Sequence, residues 1–484
     1  MYMQKDLNKG VKGMVNSIIA LIILLITVQY ASSQTGQSNP SGIMPYTLNP
    51  HYWQYKGEPV LLLGASNDDN LFQAGDKIEQ LDSMIESGGN YIRNSMRSRD
   101  EGDIFPFMLL ENGKYDLDQW NAEYWGNFEI LLREAYQRDI IVQIEFWDLH
   151  DLHGNNWLDS PWNPANNVNY REEQTTLLVA YPPDAMLTKH DFFFTVPALA
   201  YDNVVLAYQK KFFNKVINYT FEYSNILYCI SNEMFPTMSP EWGWYWATYI
   251  KEQALAAGKD IYVTEMFWDP EMRGLQHRAS LERPDIYDFF EASQNSSSVH
   301  GRHNWEKSVW LLEYMKNTNP RPINHVKIYG NDLPPDGIED HDALARFWRN
   351  ILAGAASSRF HRPASGFGLG LIPRTMAHLT SARKLLEAFD IFNAKPDYHH
   401  SLLSNRQNNE AYLSYIADEA YAVYFPYGGE VGLDLSENQG TYQVKWLKID
   451  GSEWTEATMT EGGQIISLSS PLSSHALALV VKVK

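Results

Sequence analysis

The strongest pattern in the chain is an alternation of short, continuously apolar runs with longer segments of helical period. Val60-Leu61-Leu62-Leu63-Gly64 is apolar throughout, as a strand buried on both faces must be. A helix follows, with Asp76 and Glu79 spaced as a capping-box pair and Gly88-Gly89 ending it. Tyr91-Ile92-Arg93 is the second strand. Trp120, Tyr124, Phe128 and Leu132 then recur every fourth residue, marking one face of an amphipathic helix. Ile140 to Glu145 is a third strand and Ile226 to Ile230 a fourth, with a helix marked by Val204, Val205, Tyr208, Phe212 and Val216 between them. Ser239-Pro240-Glu241 opens the next helix and Gly258 closes it. Ile261 to Val263, Ile286 to Phe289, His325 to Tyr329 and Ser357 to Phe360 complete a series of eight strands. Further helices fit Ile338 to Ala356 and Thr375 to Phe392.

Eight strands alternating with helices predict an α/β fold, a (β/α)8 TIM barrel spanning residues 45–395. A doubly wound open sheet is the competing arrangement. Its nucleotide-binding form is weakened because no Gly-rich phosphate loop follows any strand. The long stretch Asp148 to Tyr201 separates the third strand from its helix. It exceeds an ordinary loop and is expected to wall or cover the catalytic face.

Beyond Lys395-Pro396 the period changes to two. Ala411 to Ile416, Ala420 to Phe425, Tyr442 to Leu447 and Ala476 to Val480 read as strands, separated by turns such as Tyr427-Gly428-Gly429 and Glu461-Gly462-Gly463. Residues 397–484 therefore predict a small all-β sandwich.

At the amino terminus, Lys5, Lys9 and Lys12 precede the apolar run Ile18 to Val28 and the small residues Ala31-Ser32-Ser33. This is the order of a secretory signal peptide over residues 1–33, and it predicts a secreted or periplasmic protein. The apolar run is short for a membrane-spanning helix, so no stable membrane insertion is expected after cleavage. Composition narrows the partners. The net charge of −20 argues against a nucleic-acid groove. The single cysteine, Cys229, excludes an intrachain disulfide and a thiolate-rich zinc site. The chain holds 29 Tyr, 21 Phe and 15 Trp, which tilts the expectation toward ligands with apolar faces, sugars among them.

Candidate chemistry gathers at the predicted strand ends. Asn232-Glu233 follows the fourth strand, where polar side chains enter a barrel site. The amide suits a sugar hydroxyl, and the carboxyl suits proton exchange with a glycosidic oxygen. Arg93 at the second strand end is a candidate for positioning the sugar or orienting a carboxylate partner, with a buried structural pair as the alternative. Trp147, Trp268 and Tyr329 are candidate sugar platforms. Asp148, His361 and Arg362 are candidate contacts to substrate hydroxyls or to a uronate carboxylate. His150, Asp151 and His153 have ligand chemistry but nonspecific spacing, so no metal is expected. No organic cofactor is expected either.

These residues carry a resemblance. Leu62 to Ser66, Gly88 to Arg93, Asn232-Glu233, Ala420 to Phe425 and Gly440 to Trp446 resemble secreted bacterial proteins that join an apiosidase-like glycoside hydrolase barrel to a C-terminal domain labelled collagen-binding. The resemblance implies a glycoside hydrolase acting on a polysaccharide or oligosaccharide, with Glu233 as general acid/base. The collagen label is not carried over, because the chain has no His-Glu-x-x-His collagenase motif. The resemblance also implies a nucleophilic Glu at the end of the seventh strand, and here the chain departs from it. That stretch reads Lys327-Ile328-Tyr329-Gly330-Asn331-Asp332. Asp332 is the first candidate for the second carboxylate and Glu265 the next; Glu291, Glu145 and Asp148 are others. A non-catalytic carbohydrate-binding or matrix-binding protein stays open as the alternative.

Overall fold

The computed structural model describes residues 42–182, 190–296, 301–330, 340–363, 367–406 and 411–483. The signal-peptide pattern at 1–33 and the candidate Asp332 lie outside the described residues. Among the described residues, no helix is long and apolar enough to cross a membrane.

The strand series runs Leu62–Ala65, Tyr91–Ser95, Ile141–Asp148, Ile226–Asn232, Val263–Thr264, Phe290–Glu291, Ile323–Asn324 and Ser357–Phe360. The second, third, fourth and fifth members form one parallel sheet. The sixth pairs in parallel with the seventh, and the eighth with the first. Backbone bonds outside the ladders link these groups. Asn90 N–H donates to the Leu63 carbonyl at 2.8 Å, Asp288 N–H to Val263 at 2.8 Å, and Ile328 N–H to Arg359 at 2.9 Å. The chain is thus a mixed α/β protein with its helices between consecutive parallel strands.

Gly64 is a geometric necessity in the first strand: a Cβ there would collide with the Tyr91 carbonyl of the neighbouring strand. The third strand is buried at every position, and its two faces differ. Gln143 and Glu145 share the face of Tyr91 and Arg93, within a polar interior. Phe146 lies on the opposite face and stacks on Phe213 with centroids 3.8 Å apart. Phe213 belongs to the helix Asn203–Thr220, whose first turn is held by Asp202 accepting from Val204 and Val205 N–H at 3.1 and 3.0 Å. That helix also buries Val205, Leu206, Phe212, Val216 and Ile217, each contributing about 1.5–3 kcal/mol before entropy is counted.

Several expectations shift. The sixth strand falls at Phe290–Glu291 rather than 286–289, because Ile286 and Tyr287 turn back to the Arg283 carbonyl. The seventh forms a ladder only at Ile323–Asn324, and the expected 325–329 stretch keeps an isolated parallel bridge from Ile328 to Phe360. The capping box at Asp76 does not form: its carboxylate accepts instead from the Gln80 side chain at 2.9 Å. The hairpin Phe107–Leu109/Tyr115–Trp120 has no counterpart in the expected series; its outer positions are exposed, so no apolar run marks it. The long stretch after the third strand holds short helical turns and no strand among its described residues. It is a packed wall, with Trp157, Trp162, Tyr170, Phe192 and Phe193 buried in the main apolar core.

From Lys395 onward all pairing is antiparallel. One sheet contains Tyr412–Ile416, Ala420–Phe425, Ala476–Lys482 and Thr441–Lys448; a second contains Leu403–Ser404, Glu430–Asp434 and Ile465–Ser469. Period two explains why Ala420–Phe425 is buried throughout. Tyr421, Val423 and Phe425 share an apolar core with Val431, Leu433 and Leu468 of the second sheet. Ala422 and Tyr424 point the other way and join the core that holds Trp348 and Leu379 of the α/β part. The β-rich region is therefore packed on the rest of the chain.

Candidate active site

Glu233 immediately follows the fourth strand, and its backbone is left-handed (φ 53°), a strained conformation for a residue with a Cβ. Two bonds hold the backbone there: Met234 N–H donates to Met266 at 2.8 Å, and Trp268 N–H donates back to Met234 at 2.9 Å. The fourth and fifth strand ends are thereby tied together, and the Glu233 side chain is placed among groups from three other strand ends.

Its two oxygens differ in what they meet. Oε1 accepts from Lys327 Nζ at 2.7 Å, from Gln294 Nε2 at 2.9 Å and from the Tyr329 hydroxyl. Oε2 lies 3.0 Å from His150 Nε2. Lys327 also bonds Asn232 Oδ1, and Gln294 donates to the Tyr329 oxygen at 3.1 Å. Lys327 and Tyr329 are two residues apart on an extended segment, which is why both reach the same carboxylate. Burial alone would raise the Glu233 carboxyl, but the Lys327 ammonium and His150 outweigh it and hold the carboxyl well below the usual range. Tyr329 moves the other way: burial and the neighbouring Glu233 charge keep its phenol protonated. The resting site therefore holds an ionised carboxylate and neutral or cationic donors. That suits a base or nucleophile. A Glu233 that donates a proton must first acquire one.

Three sequence candidates are placed differently from expectation. Arg93 does not face a ligand. It is fully buried, its Nε donates to Glu145 at 2.7 Å, and it is ion-paired with both Asp69 and Glu145. Trp147 is not a platform, since only 4% of it is exposed and it sits edge-on to Phe192 at 5.4 Å within the aromatic core. Glu265 is buried, its carboxyl lying against Gly243 of the helix Pro240–Ala257, where the Tyr287 hydroxyl also lies. Burial pushes it well above the usual range, so it is a neutral buried acid.

The others cluster nearer. Asp148 pairs with Arg99 at 2.6 Å and accepts from His150 N–H at 2.9 Å, so it shapes the turn that carries His150. Asp151, 2.9 Å from the same Arg99, is pushed up to about 6 by burial despite that cation. His361 lies against Tyr329 with ring centroids 5.0 Å apart, and burial keeps it neutral. Arg362 is held by Asp69 at 2.8 Å and Asp100 at 3.1 Å. Trp268 is 44% exposed and braced on Phe235 at 4.5 Å, and its backbone N–H donates to the carbonyl of Met234, the residue after Glu233. Glu291 lies in the polar interior with Ser293 and Gln143, pushed up to about 7 by burial. Sequence reasoning did not assign Lys327, Gln294 or His150 a place around Glu233; the i, i+2 spacing of Lys327 and Tyr329 was the available signal. Among the described residues, no group of three His, Cys, Asp or Glu side chains is placed to hold a metal ion.

No family model matches the chain, and no curated protein sequence matches it. Solved structures do. The fold is similar to that of a glycoside hydrolase family 5 protein from Bacteroides vulgatus ATCC 8482, with a TM-score of 0.61 at 13% identity over 91% of this chain and 94% of that one. It is also similar to a structure described as a glycoside hydrolase, with a TM-score of 0.60 at 13% identity over 91% of this chain and 97% of that one. At such identity the likeness is one of fold, and the site must be argued from its own residues.

Proposed function

We propose that this is an exported glycoside hydrolase-like protein that binds a polysaccharide or oligosaccharide across the strand ends and uses Glu233 in cleaving a glycosidic bond. The observation that carries the reading is the convergence of Lys327, Tyr329, Gln294 and His150 on that one buried carboxylate. The solved glycoside hydrolases of similar fold support the same class. The eight parallel strands are read as a closed (β/α)8 barrel at 45–395, supported by the bonds that link neighbouring strand groups. The antiparallel region at 397–484 is read as a separate sandwich domain. Export rests on the pattern at 1–33, and the apiosidase-like likeness on the motifs around Gly64, Arg93 and Glu233.

In this reading the sugar lies on Trp268. With its Oδ1 taken by Lys327, Asn232 has its Nδ2 group to offer a hydroxyl. Glu233 exchanges a proton through Oε2: it takes one from the water that adds to the anomeric carbon, or returns one to the departing oxygen. The second acid is Asp332 in the sequence reading. Reducing-sugar release from plant and host glycans, wild type against Glu233→Gln, tests the assignment; a Glu233→Gln protein that turns over like wild type removes it.

One observation favours a second reading. Lys327 stands on the seventh-strand segment where the resemblance implies a nucleophilic Glu. A protein that binds glycan equally well as wild type or Glu233→Gln, and hydrolyses with neither, is a carbohydrate-binding protein on a glycosidase-like barrel.

A further inference from the structure

We propose that Lys327 is a positioning residue for Glu233: its ammonium group pins Oε1 and leaves Oε2, beside His150, as the oxygen that meets the substrate. The proposal rests on the reading of Glu233 as the working carboxylate and adds a residue to it.

Oε1 already accepts from Gln294 and Tyr329, both neutral donors. Lys327 is therefore not required to satisfy a buried oxygen; what it adds is charge. The side chain is only 2% exposed, and burying an ammonium group costs several kcal/mol unless it is paired. Its partners are Glu233 Oε1 at 2.7 Å and Asn232 Oδ1, so the lysine is committed to the Asn232-Glu233 pair. The donors are also unevenly shared. Three of them draw electron density from Oε1 and fix the carboxylate plane, while among the described residues Oε2 meets only His150, whose side chain is 34% exposed. Oε2 is thus the more basic oxygen, and the histidine it meets is itself partly open to solvent. The lysine stands near the position the resemblance reserves for a carboxylate, so it also removes the like-charge repulsion that a carboxylate pair creates.

Infrared difference spectroscopy on the whole protein, labelled with 13C at glutamate carboxyls, tests this without requiring turnover. Subtracting the Glu233→Gln spectrum isolates the Glu233 band. At pH 5 the wild type and Lys327→Arg should show carboxylate, and Lys327→Gln should show the protonated carboxyl. Carboxylate retained in folded Lys327→Gln overturns the proposal, and so does a protonated Glu233 in the wild type. Should Lys327→Gln not fold, Lys327→Met takes its place, and the wild-type result still decides. If a substrate is found, the acid limb of the pH–rate profile should move to higher pH in Lys327→Gln and return in Lys327→Arg. A protein that hydrolyses nothing but shows the spectral pattern keeps the Lys327 assignment and loses the hydrolase reading, so the two failures are separable.

Discussion

A histidine buried where the β-rich region meets the α/β part gives a stability prediction with a definite size. His475 is fully buried, its Nδ1 is 2.8 Å from the Tyr424 hydroxyl, and its ring lies 4.2 Å from that of His341 and 5.0 Å from that of His378. His378 in turn accepts from Trp348 Nε1 at 3.0 Å and meets Asp450 at 2.9 Å. Burial first, then the neighbouring His378 and His341, brings His475 from 6.5 down to about 2; Asp450 opposes this and Arg374 reinforces it. The folded-state value is depressed, so the unfolded chain takes up a proton that the native site refuses. The stabilisation is complete above pH 6.5 and is lost as the pH falls below it. At pH 5 the loss amounts to about 2 kcal/mol, from one and a half pH steps of roughly 1.4 kcal/mol each. In His475→Gln the term disappears, while the other titrating groups are common to both proteins. Guanidinium unfolding of both proteins at pH 7 and pH 5 reads this directly. Wild type should lose about 2 kcal/mol more than the variant over that interval. Parallel losses, equal to within about 0.5 kcal/mol, would refute a neutral buried His475.

Two further substitutions separate structure from recognition. Arg93→Met leaves Asp69 and Glu145 buried without their shared cation, and urea unfolding should show a loss of about 3–5 kcal/mol; a loss under about 1 kcal/mol would mean the two acids are not held by Arg93. Trp268→Ala removes an exposed ring, so thermal unfolding should change little while glycan affinity falls roughly tenfold, the scale of one aromatic contact. Unchanged affinity would remove Trp268 from the sugar site.

The strands with continuous apolar runs were legible because burial on both faces leaves no polar position to confuse the period. The first and fourth strands fall where the runs from Leu62 and Ile226 place them. The sixth and seventh were misplaced because they pair over two residues each and carry Glu291 and Asn324 inward, so polarity at those positions hides the strand. In the antiparallel region, Ile465–Ser469 exposes alternate residues and Glu430–Asp434 is buried only at its three central positions, so both lie outside the long apolar runs. Glu233 was legible from its place after an apolar strand. Its environment was not, because Lys327, Gln294 and His150 come from segments far apart in sequence and meet only through the strand order. Arg93 and Trp147 misled for one reason: a strand end says that a side chain is near the cleft, not whether neighbours have already claimed it. Arg93 is claimed by two carboxylates and Trp147 by the aromatic core.

The central claim is that Glu233 performs proton or covalent chemistry on a glycosidic bond. Reducing-sugar release from a panel of plant and host glycans, measured for wild type beside Glu233→Gln under conditions where control enzymes work, tests it most directly. Release by wild type is expected, with a loss of about a hundredfold or more in Glu233→Gln. Equal release by both proteins would contradict the role of Glu233, and release by neither would contradict the hydrolase.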